Sequence, residues 1–356
     1  MDISVSDKES ACVQFHPVPN HPTITQISIF NSNFRLEFIT DLGEDYANHR
    51  FVTYDFKQLK RVLDDTKIKG VNLVFNENQL LEYTHDKKAE TTSIKEHALS
   101  YSLPPVTFEE LWSINHICFK KMEQVDDAFT IFTSIKNSLE LYPELGRVFL
   151  YQDAENKFHF NTTNGYSIYD TYLNLDEGNG KYLNGKQYSC DAAYAENLYH
   201  FRNYPEIDMV YTQADNEEYG LYISSGEGEY GVADIELYMK INSDTLPFKS
   251  KLVLPKDKVY QGEIDLDLKA MKSLIKAVKE DLSSKDQKSF AIVIHVKDGK
   301  VYLGEEDTGQ MSLLPNLDVN YYDLASFMKT GTDVVIEQDE NYTVFKTAHS
   351  KMIVKN

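Results

Sequence analysis

The chain has 356 residues, 42% of them hydrophobic and 12% aromatic, so it can bury sizeable cores and is long enough for two or three domains. Its 56 acidic residues outnumber its 36 basic residues, and the formal net charge of -20 excludes indiscriminate binding of nucleic acid or anionic membranes. The sequence has no C-x-x-C pair, no secretory leader and no apolar run of about eighteen residues. We therefore expect a cytoplasmic protein with no membrane partner, disulfide framework, metal or cofactor.

The first segment, residues 1–104, predicts strands and one short helix. Strands are predicted at residues 23–30, 34–40, 51–54, 71–75 and 80–84. Asp55 is typical of a helix N-cap. The buried face of the helix after it would comprise Phe56, Leu59, Val62 and Leu63, with the basic residues Lys57, Lys60 and Arg61 off that face. Pro17, Pro19 and Pro22 exclude a helix near the start, and residues 87–105 are predicted to be a linker.

The second segment, residues 105–249, begins with a predicted helix. Thr107 and Glu110 have the spacing of a capping box, Leu111, Ile114 and Cys118 would form its inner face, and Lys120 and Lys121 lie elsewhere on it. Strands are predicted at residues 147–152, 157–162, 166–173, 188–190, 208–213 and 219–224. Asp191 predicts a second cap, and Ala195, Leu198 and Phe201 would face inward from the helix that follows.

The third segment, residues 250–356, opens with a helix at 265–282 that carries two stripes. The apolar stripe comprises Leu268, Met271, Ile275, Val278 and Leu282. The basic stripe comprises Lys269, Lys272, Lys276 and Lys279, each one residue later. A basic face of this kind is either a solvated surface or a surface for an anionic partner. In so acidic a chain, the concentration of cations on one face favours the partner.

The remaining elements of the third segment complete a threefold pattern. Strands are predicted at residues 290–296, 300–303, 311–314, 317–320, 333–337 and 342–347, with Leu324, Phe327 and Met328 on a helix. A strand, a capped short helix, a turn, a strand and a hairpin thus occur three times. The caps Asp55, Asp191 and Asn320 are 136 and 129 residues apart, a spacing that suits three copies of one domain rather than a solenoid.

Two glycine-rich motifs do not predict nucleotide binding. Residues 180–186 have phosphate-loop spacing, but Gln187 replaces the Ser or Thr that holds magnesium, and a strand follows instead of a helix. Gly226, Gly228 and Gly231 are interleaved with Glu227 and Glu229, whose charges would repel a pyrophosphate. No local arrangement of nucleophile and base is present, so we predict that the chain is not an enzyme.

The pattern as a whole resembles the bacterial-type β sliding clamp family, the processivity subunits of replicative DNA polymerases. The resemblance rests on the threefold unit, on Asn161–Ile168 (NTTNGYSI), and on residues 252–256 (LVLPK) before the lysine helix together with the apolar tail at 352–354. It implies an α+β fold of three similar domains, 1–104, 105–249 and 250–356, with sheets outside and paired helices inside. Ser167 stands where the family usually has Arg, and prolines stand where the first domain's first helix would be, so the resemblance implies a divergent member, of phage or other origin.

The resemblance further implies that two chains close a ring around duplex DNA, which is contacted without regard to sequence. The DNA-facing residues would be Lys57, Lys60, Arg61, Lys120, Lys121, Lys269, Lys272, Lys276 and Lys279. A groove for short apolar peptides of the polymerase and clamp loader would be lined by Thr163, Gly165, Tyr166, Ile168, Leu254, Pro255, Val259, Met352 and Val354. The alternative for these apolar residues is ordinary core. The alternatives for the whole chain are a β-rich phage structural or interaction module and an enzyme whose site is assembled from distant residues.

Overall fold

The described part of the chain forms two compact units in a computed structural model of the protein. The structure describes residues 3, 5, 11–41, 54–65, 71–76, 79–86, 91–98, 118–122, 132–133, 135–136, 146–155, 157–163, 167–174, 186–204, 207–213, 219–244, 260–280, 292–329 and 333–356. Unit 1 comprises Met1–Gln124 and Glu206–Asn242, and unit 2 comprises Val125–Pro205 and Ser243–Asn356. The predicted middle segment therefore contributes strands to both units, and the division into three domains stays a prediction.

The elements are named in chain order. The strands are β1 (Cys12–Pro17), β2 (Ile24–Phe30), β3 (Phe34–Asp41), β4 (Tyr54–Asp55), β5 (Val71–Asn76), β6 (Gln79–Asp86), β7 (Thr91–Ala98), β8 (Cys118–Met122), β9 (Arg147–Gln152), β10 (Lys157–Thr163), β11 (Ser167–Asn174), β12 (Tyr188–Asp191), β13 (Ile207–Gln213), β14 (Tyr219–Ser224), β15 (Ile235–Ser243), β16 (Tyr260–Glu263), β17 (Val293–Lys297), β18 (Lys300–Leu303), β19 (Glu306–Met311), β20 (Asn316–Asn320), β21 (Val335–Gln338), β22 (Tyr342–Lys346) and β23 (Ser350–Lys355). The helices are α1 (Phe56–Asp65), α2 (Ala192–Ala195), which continues as the 3₁₀ helix Glu196–Asn203, α3 (Leu268–Glu280) and α4 (Tyr321–Phe327).

Each unit contains one long antiparallel sheet and one smaller sheet. The described strands of unit 1 run in the order β8-β13-β14-β15-β3-β2-β1-β4, with β5-β6-β7 as a separate sheet. Those of unit 2 run in the order β16-β21-β22-β23-β11-β10-β9-β12, with β19-β18-β17-β20 as the smaller sheet. The long sheets are continuous across the predicted segment boundaries because β15 pairs with β3 and β23 pairs with β11.

A four-strand motif recurs three times in these sheets. The orders β3-β2-β1-β4, β11-β10-β9-β12 and β19-β18-β17-β20 are the same topology, a three-stranded meander whose first strand also pairs with a fourth. The fourth strand leads each time into a capped helix. Asp55 Oδ1 accepts from the Gln58 amide at 2.9 Å, Asp191 Oδ1 from that of Ala193 at 2.9 Å, and Asn320 Oδ1 from that of Tyr322 at 2.8 Å.

The first helical residue of each copy is tied to the start of the same motif. The amide of Phe56 donates to Ala11 O at 2.9 Å, that of Ala192 to Gly146 O at 2.9 Å, and that of Tyr321 to Ile292 O at 2.8 Å. Each acceptor directly precedes the first strand of its meander. One otherwise unsatisfied helix amide in each copy therefore fixes the helix against the sheet.

The sequence predicted most of these elements and missed several. The caps are confirmed, as are the strands that became β2, β3, β5, β6, β9 to β14, β17, β18 and β20 to β22. The predicted linker at 87–105 is wrong in part because it contains β7, and the predicted strand at 311–314 lies mostly beyond β19. Strands β1, β15 and β16 were not predicted. Pro17 ends β1, which is compatible with a strand terminus although not with a helix.

The core of unit 2 lies between the long sheet, the smaller sheet and two helices. Met271 and Ile275 of α3, Leu324 and Phe327 of α4, and Tyr169 of β11 belong to one buried cluster. The same cluster contains Met352 and Val354 of β23, which are 0% and 4% exposed. The apolar C-terminal tail is therefore an internal strand of the sheet, paired with both β11 and β22, and not an appendage resting on the surface.

We expect the substitution Met352→Ala to destabilise unit 2 by about 2–5 kcal/mol, because it leaves a cavity in a close-packed core. The measurement is urea unfolding followed by circular dichroism. The exposed Lys355 of the same strand provides the control, since Lys355→Ala should change the free energy of unfolding by only about 0.5 kcal/mol or less. Equal effects of the two substitutions would contradict the placement of Met352 in the core.

Candidate functional site

The basic stripe of the third segment lies on the exposed side of α3. Asp267 Oδ1 caps the helix by accepting from the amides of Lys269 and Ala270, both at 3.0 Å. Met271 and Ile275 are buried on the inner side, as the apolar stripe predicted. Lys269, Lys272 and Lys276 are all exposed, whereas the side chains of Lys279 and Val278 and the whole of Leu282 lie outside the described residues. The helix thus presents a row of ammonium groups to its surroundings.

A second exposed basic group lies on α1. Phe56 and Leu59 are buried, whereas Lys57, Lys60 and Arg61 are exposed, as predicted. Lys60 Nζ donates to Ile3 O at 3.4 Å and lies 5.9 Å from the centroid of the Phe56 ring. Its stem therefore covers apolar surface while its charge stays near solvent.

Lys120 and Lys121 do not lie on a helix. They belong to β8, where Lys120 is opposite Met209 and Lys121 is opposite Asp208 of β13. The helix predicted from Thr107 is thus wrong at residues 118–122, and residues 107–117 lie outside the described residues. Pairing with β13 satisfies the backbone of this short stretch, and such tertiary pairing overrides a weak helical periodicity.

Two cations that the sequence analysis passed over meet at the ring of Tyr199 in the 3₁₀ helix after α2. Lys136 Nζ lies 4.5 Å from the ring centroid and Arg202 Cζ lies 3.9 Å from it. Arg202 Nη1 also donates to the Tyr199 carbonyl at 2.9 Å. Arg202 lies off the apolar face formed by Ala195, Leu198 and Phe201, and this is the same sequence signal that marks Lys57, Lys60 and Arg61 on α1.

The predicted groove residues are partly described. Thr163 Oγ1 donates to Ser167 O at 2.8 Å and so closes the β10–β11 hairpin, and Ile168 is half-buried beside it. Met352 and Val354 are buried in β23. Outside the described residues lie Gly165, Tyr166, Leu254, Pro255 and Val259.

Strand register places the described groove residues on two opposite faces. Thr163 is opposite Ile168, Ile168 is opposite Ile353, and Ile353 is opposite Val344, so these four side chains share one face. We call them the Ile353 row. Met352 is opposite Tyr169 and Val354 is opposite Ser167, on the other face, which packs against the core. Met352 and Val354 therefore face the core of unit 2, whereas Ile353 lies beside Ile168 on the opposite face, and the groove itself stays a prediction.

The core-facing side of β11 is fixed to α4 by hydrogen bonds. The Tyr169 hydroxyl donates to the Asp323 carbonyl at 2.6 Å, and Ser167 Oγ donates to Asp323 Oδ2 at 3.2 Å. Burial, reinforced by the nearby Asp323 carboxylate, raises the pKa of Tyr169 well above its usual range, so the phenol keeps its proton and remains a donor. Ser167, which stands where the related family has Arg, thus has a structural role.

The face that carries the Ile353 row continues into a buried polar cluster. Asp170, two residues after Ile168, lies 2.8 Å from His159 Nδ1 and accepts from Asn161 Nδ2 at 3.0 Å. Asp153 lies 3.1 Å from His159 Nε2, and the Tyr151 ring stacks on the imidazole with centroids 4.4 Å apart. Although burial acts in the opposite direction, hydrogen bonds from the Lys157 amide and from His159 lower the pKa of Asp153. The apolar row therefore has one charged, tightly hydrogen-bonded end.

Within the described ranges, no group of three His, Cys, Asp or Glu side chains is arranged to hold a metal ion. The described helices also include none that is both long and apolar enough to span a bilayer.

No protein-family model matches the sequence. No curated protein matches it either. Solved structures match in fold. DNA polymerase III subunit beta from Borrelia burgdorferi, in complex with a natural product, has a TM-score of 0.58 at 11% identity over 97% of this chain and 90% of that one. The Helicobacter pylori beta clamp bound to a DNA ligase peptide has a TM-score of 0.57 at 13% identity over 98% and 92%.

The sliding clamp from Bartonella birtlesii bound to griselimycin is similar to the same degree, with a TM-score of 0.59 at 10% identity over 97% of this chain and 90% of that one. Identities this low show the fold alone, but the match extends over nearly the whole length of both chains. The chain therefore has the fold of the bacterial β sliding clamps, as its sequence resemblance predicted.

Proposed function

We propose that the chain is a sliding clamp, which encircles duplex DNA and tethers a replicative DNA polymerase as its processivity factor, without enzymatic activity of its own. The observation that carries the proposal is the exposed lysine row of α3 in a chain of net charge -20 with the clamp fold. An acidic protein repels DNA over most of its surface, so a row of cations marks the side on which a polyanion is held.

The chemistry of the proposed DNA contacts suits a partner that must slide. Phosphates recur about every 1.7 Å along the duplex axis and carry no sequence information, so scattered ammonium groups hold the duplex without fixing its position. Lys269, Lys272 and Lys276 of α3 and Lys57 and Arg61 of α1 are exposed for this role. In the middle segment, Lys136 and Arg202, which lie against the Tyr199 ring, would take this role in place of Lys120 and Lys121.

We expect the double substitution K272E/K276E to shorten retention on circular DNA and to lower polymerase processivity, because both exposed cations become anions while the buried face of α3 is unchanged. The measurement is retention of clamp on nicked circular DNA after loading, at two salt concentrations. The charge-matched control is K297E/K300E, at the exposed turn between β17 and β18. Retention equal to that of the control would mean that the α3 row is a solvated surface.

We also propose that short apolar peptides of the polymerase and the clamp loader bind over the Ile353 row. The row places Ile168, Ile353 and Val344 on three adjacent strands and ends at the polar cluster. Ile168 is half-buried whereas Ile353 and Val344 are 7% and 0% exposed, so the direct contact with a peptide would be made at Ile168. Apolar floors with a few fixed polar groups are typical of peptide sites. The remaining walls would come from Gly165, Tyr166, Leu254, Pro255 and Val259, as the family resemblance implies.

The substitution Ile168→Ala should weaken binding of a peptide from the cognate polymerase by roughly 30-fold, the equivalent of about 2 kcal/mol for a hot-spot contact. Isothermal titration calorimetry measures this directly. Leu313→Ala is the matched control, since Leu313 is an exposed aliphatic residue between β19 and β20, outside the strands that carry the Ile353 row. Unchanged affinity in the Ile168 variant would place the peptide elsewhere.

A closed ring requires contacts between chains, and we propose that two chains associate head to tail through their small sheets. Among the described strands, β7 pairs only with β6 and β19 only with β18, so each is an open edge. Both carry exposed apolar side chains, Ile94 at 57% and Met311 at 67%. Open edges with apolar side chains are templates for pairing with another chain.

Native mass spectrometry of the wild-type protein should give twice the chain mass of 41.0 kDa, and Ile94→Glu should give the single-chain mass because it places a charge in the proposed contact. Tyr342→Glu, at an exposed position of β22, should leave the dimer intact. A dimeric Ile94→Glu variant would exclude β7 from the contact, and a monomeric wild-type protein would overturn the ring itself.

A further inference from the structure

Unit 1 contains two glutamates directly opposite one another on neighbouring strands. In the ladder of β3 and β15, Glu37 is the partner of Glu236. Ser28 of β2 is opposite Glu37, and Ser224 of β14 is opposite Glu236, so the four side chains form one row across four strands. This row crosses the one pairing that joins the first predicted segment to the second within the described part of unit 1.

The two carboxyl groups are withdrawn from water, and among the described residues one cation, Arg35, forms ion pairs with them. Glu37 is 1% exposed, and the Glu236 side chain is 19% exposed. Arg35 forms an ion pair with Glu37 and reaches within 3.7 Å of Glu236. Ser28 donates a hydrogen bond to Glu37, and the Tyr222 hydroxyl donates one to Glu236. Two ionised carboxylates beside one guanidinium would leave a negative charge without a counter-ion.

A shared proton removes this charge. The carboxyl groups of Glu236 and Glu37 come from directly opposite residues and lie beside the same guanidinium, and two carboxyl groups can hydrogen-bond to each other only if one of them is protonated. Burial, followed by the charge of Glu37, raises the pKa of Glu236 to about 7, although Tyr222 and Arg35 act in the opposite direction. The pKa of Tyr222 is itself raised far above its usual range by burial and by Glu236, so Tyr222 stays a donor.

We propose that Glu37 and Glu236 hold one proton between them near neutral pH, and that its loss weakens the pairing of β3 with β15, which makes this junction a pH-sensitive hinge. The charged and titratable groups that face the pair are Arg35 from β3 and Tyr222 from β14, while β2 contributes the hydroxyl of Ser28. The inference does not depend on the proposed clamp function.

The direction of the effect follows from proton linkage. An ordinary glutamate has a pKa near 4.5. The unfolded or locally opened chain therefore releases this proton at a lower pH than the closed junction does, in which β3 and β15 are paired. The closed junction is fully stabilised below pH 4.5, loses stability as the pH rises from there through about 7, and changes little above that. Within the window, one extra bound proton changes the opening constant by about tenfold per pH unit.

The test is amide hydrogen exchange of β3 and β15 in the full chain at several pH values between 5 and 8, corrected for the intrinsic pH dependence of exchange. In the wild-type protein, the opening constant should rise by up to about tenfold per pH unit and then level off. The isosteric variant E236Q cannot ionise and keeps its hydrogen-bonding groups, so its corrected opening constant should not vary with pH. If the corrected opening constant of E236Q rose with pH as steeply as that of the wild-type protein, the proposal would be overturned.

A control variant and a second method complete the test. E337Q alters a buried glutamate of unit 2 that is paired with Lys346 and lies opposite Val344 on β22, so it should keep the wild-type slope in β3 and β15. If E236Q fails to fold, a carboxyl-carbon NMR titration of the wild-type protein replaces it. A glutamate with a midpoint near 7 that is perturbed by R35K would support the shared proton, and midpoints all near 4 to 5 would overturn it.

Discussion

The structure depends most on two antiparallel strand pairings, β15 with β3 and β23 with β11. Each joins strands from different parts of the sequence into one long sheet, and each therefore decides which side chains face a core and which face outward. Because the side chains of a strand alternate between faces, a register one residue different would exchange Ile353 with Met352 and so change the residues on the face of the proposed groove. The same constraint places Glu37 opposite Glu236 in unit 1, so two carboxylates that are far apart in sequence come to share one environment.

The threefold recurrence of the fold has a local cause. In each copy an Asp or Asn caps a short helix, and the next amide donates to the residue before the first strand of the meander. Cap and amide together satisfy helix donors that would otherwise be exposed or unpaired, and they fix the angle at which the helix leaves the sheet. The surface cations can therefore vary among the copies without changing the arrangement of the four strands and the capped helix. In the first copy, α1 carries Lys57, Lys60 and Arg61. In the middle copy, the 3₁₀ helix after α2 carries Arg202, which lies beside Lys136.

Charge is arranged at two levels in this protein. At the surface, the chain as a whole carries an excess of carboxylates, and among the described residues α1 and α3 each carry a group of exposed cations. In the interior of unit 2, the buried carboxylate of Glu337 is matched by one cation, Lys346. The Glu37 and Glu236 pair departs from this one-to-one matching because one guanidinium serves two carboxylates. A proton is then the remaining means of balancing the charge.

The sequence by itself determined the class of the fold, the three caps, most strands and the lysine row of α3, because each depends on local chemistry. Cap preference, alternation and helical spacing act over a few residues and need no distant partner. Tertiary structure decided the rest. Lys120 and Lys121 lie on a strand because β13 pairs with them, and Met352 and Val354 lie in the core because the register with β11 turns them inward. Pairing partners and register are set in these two cases by contacts between residues at least 87 positions apart, which periodicity within one segment does not encode.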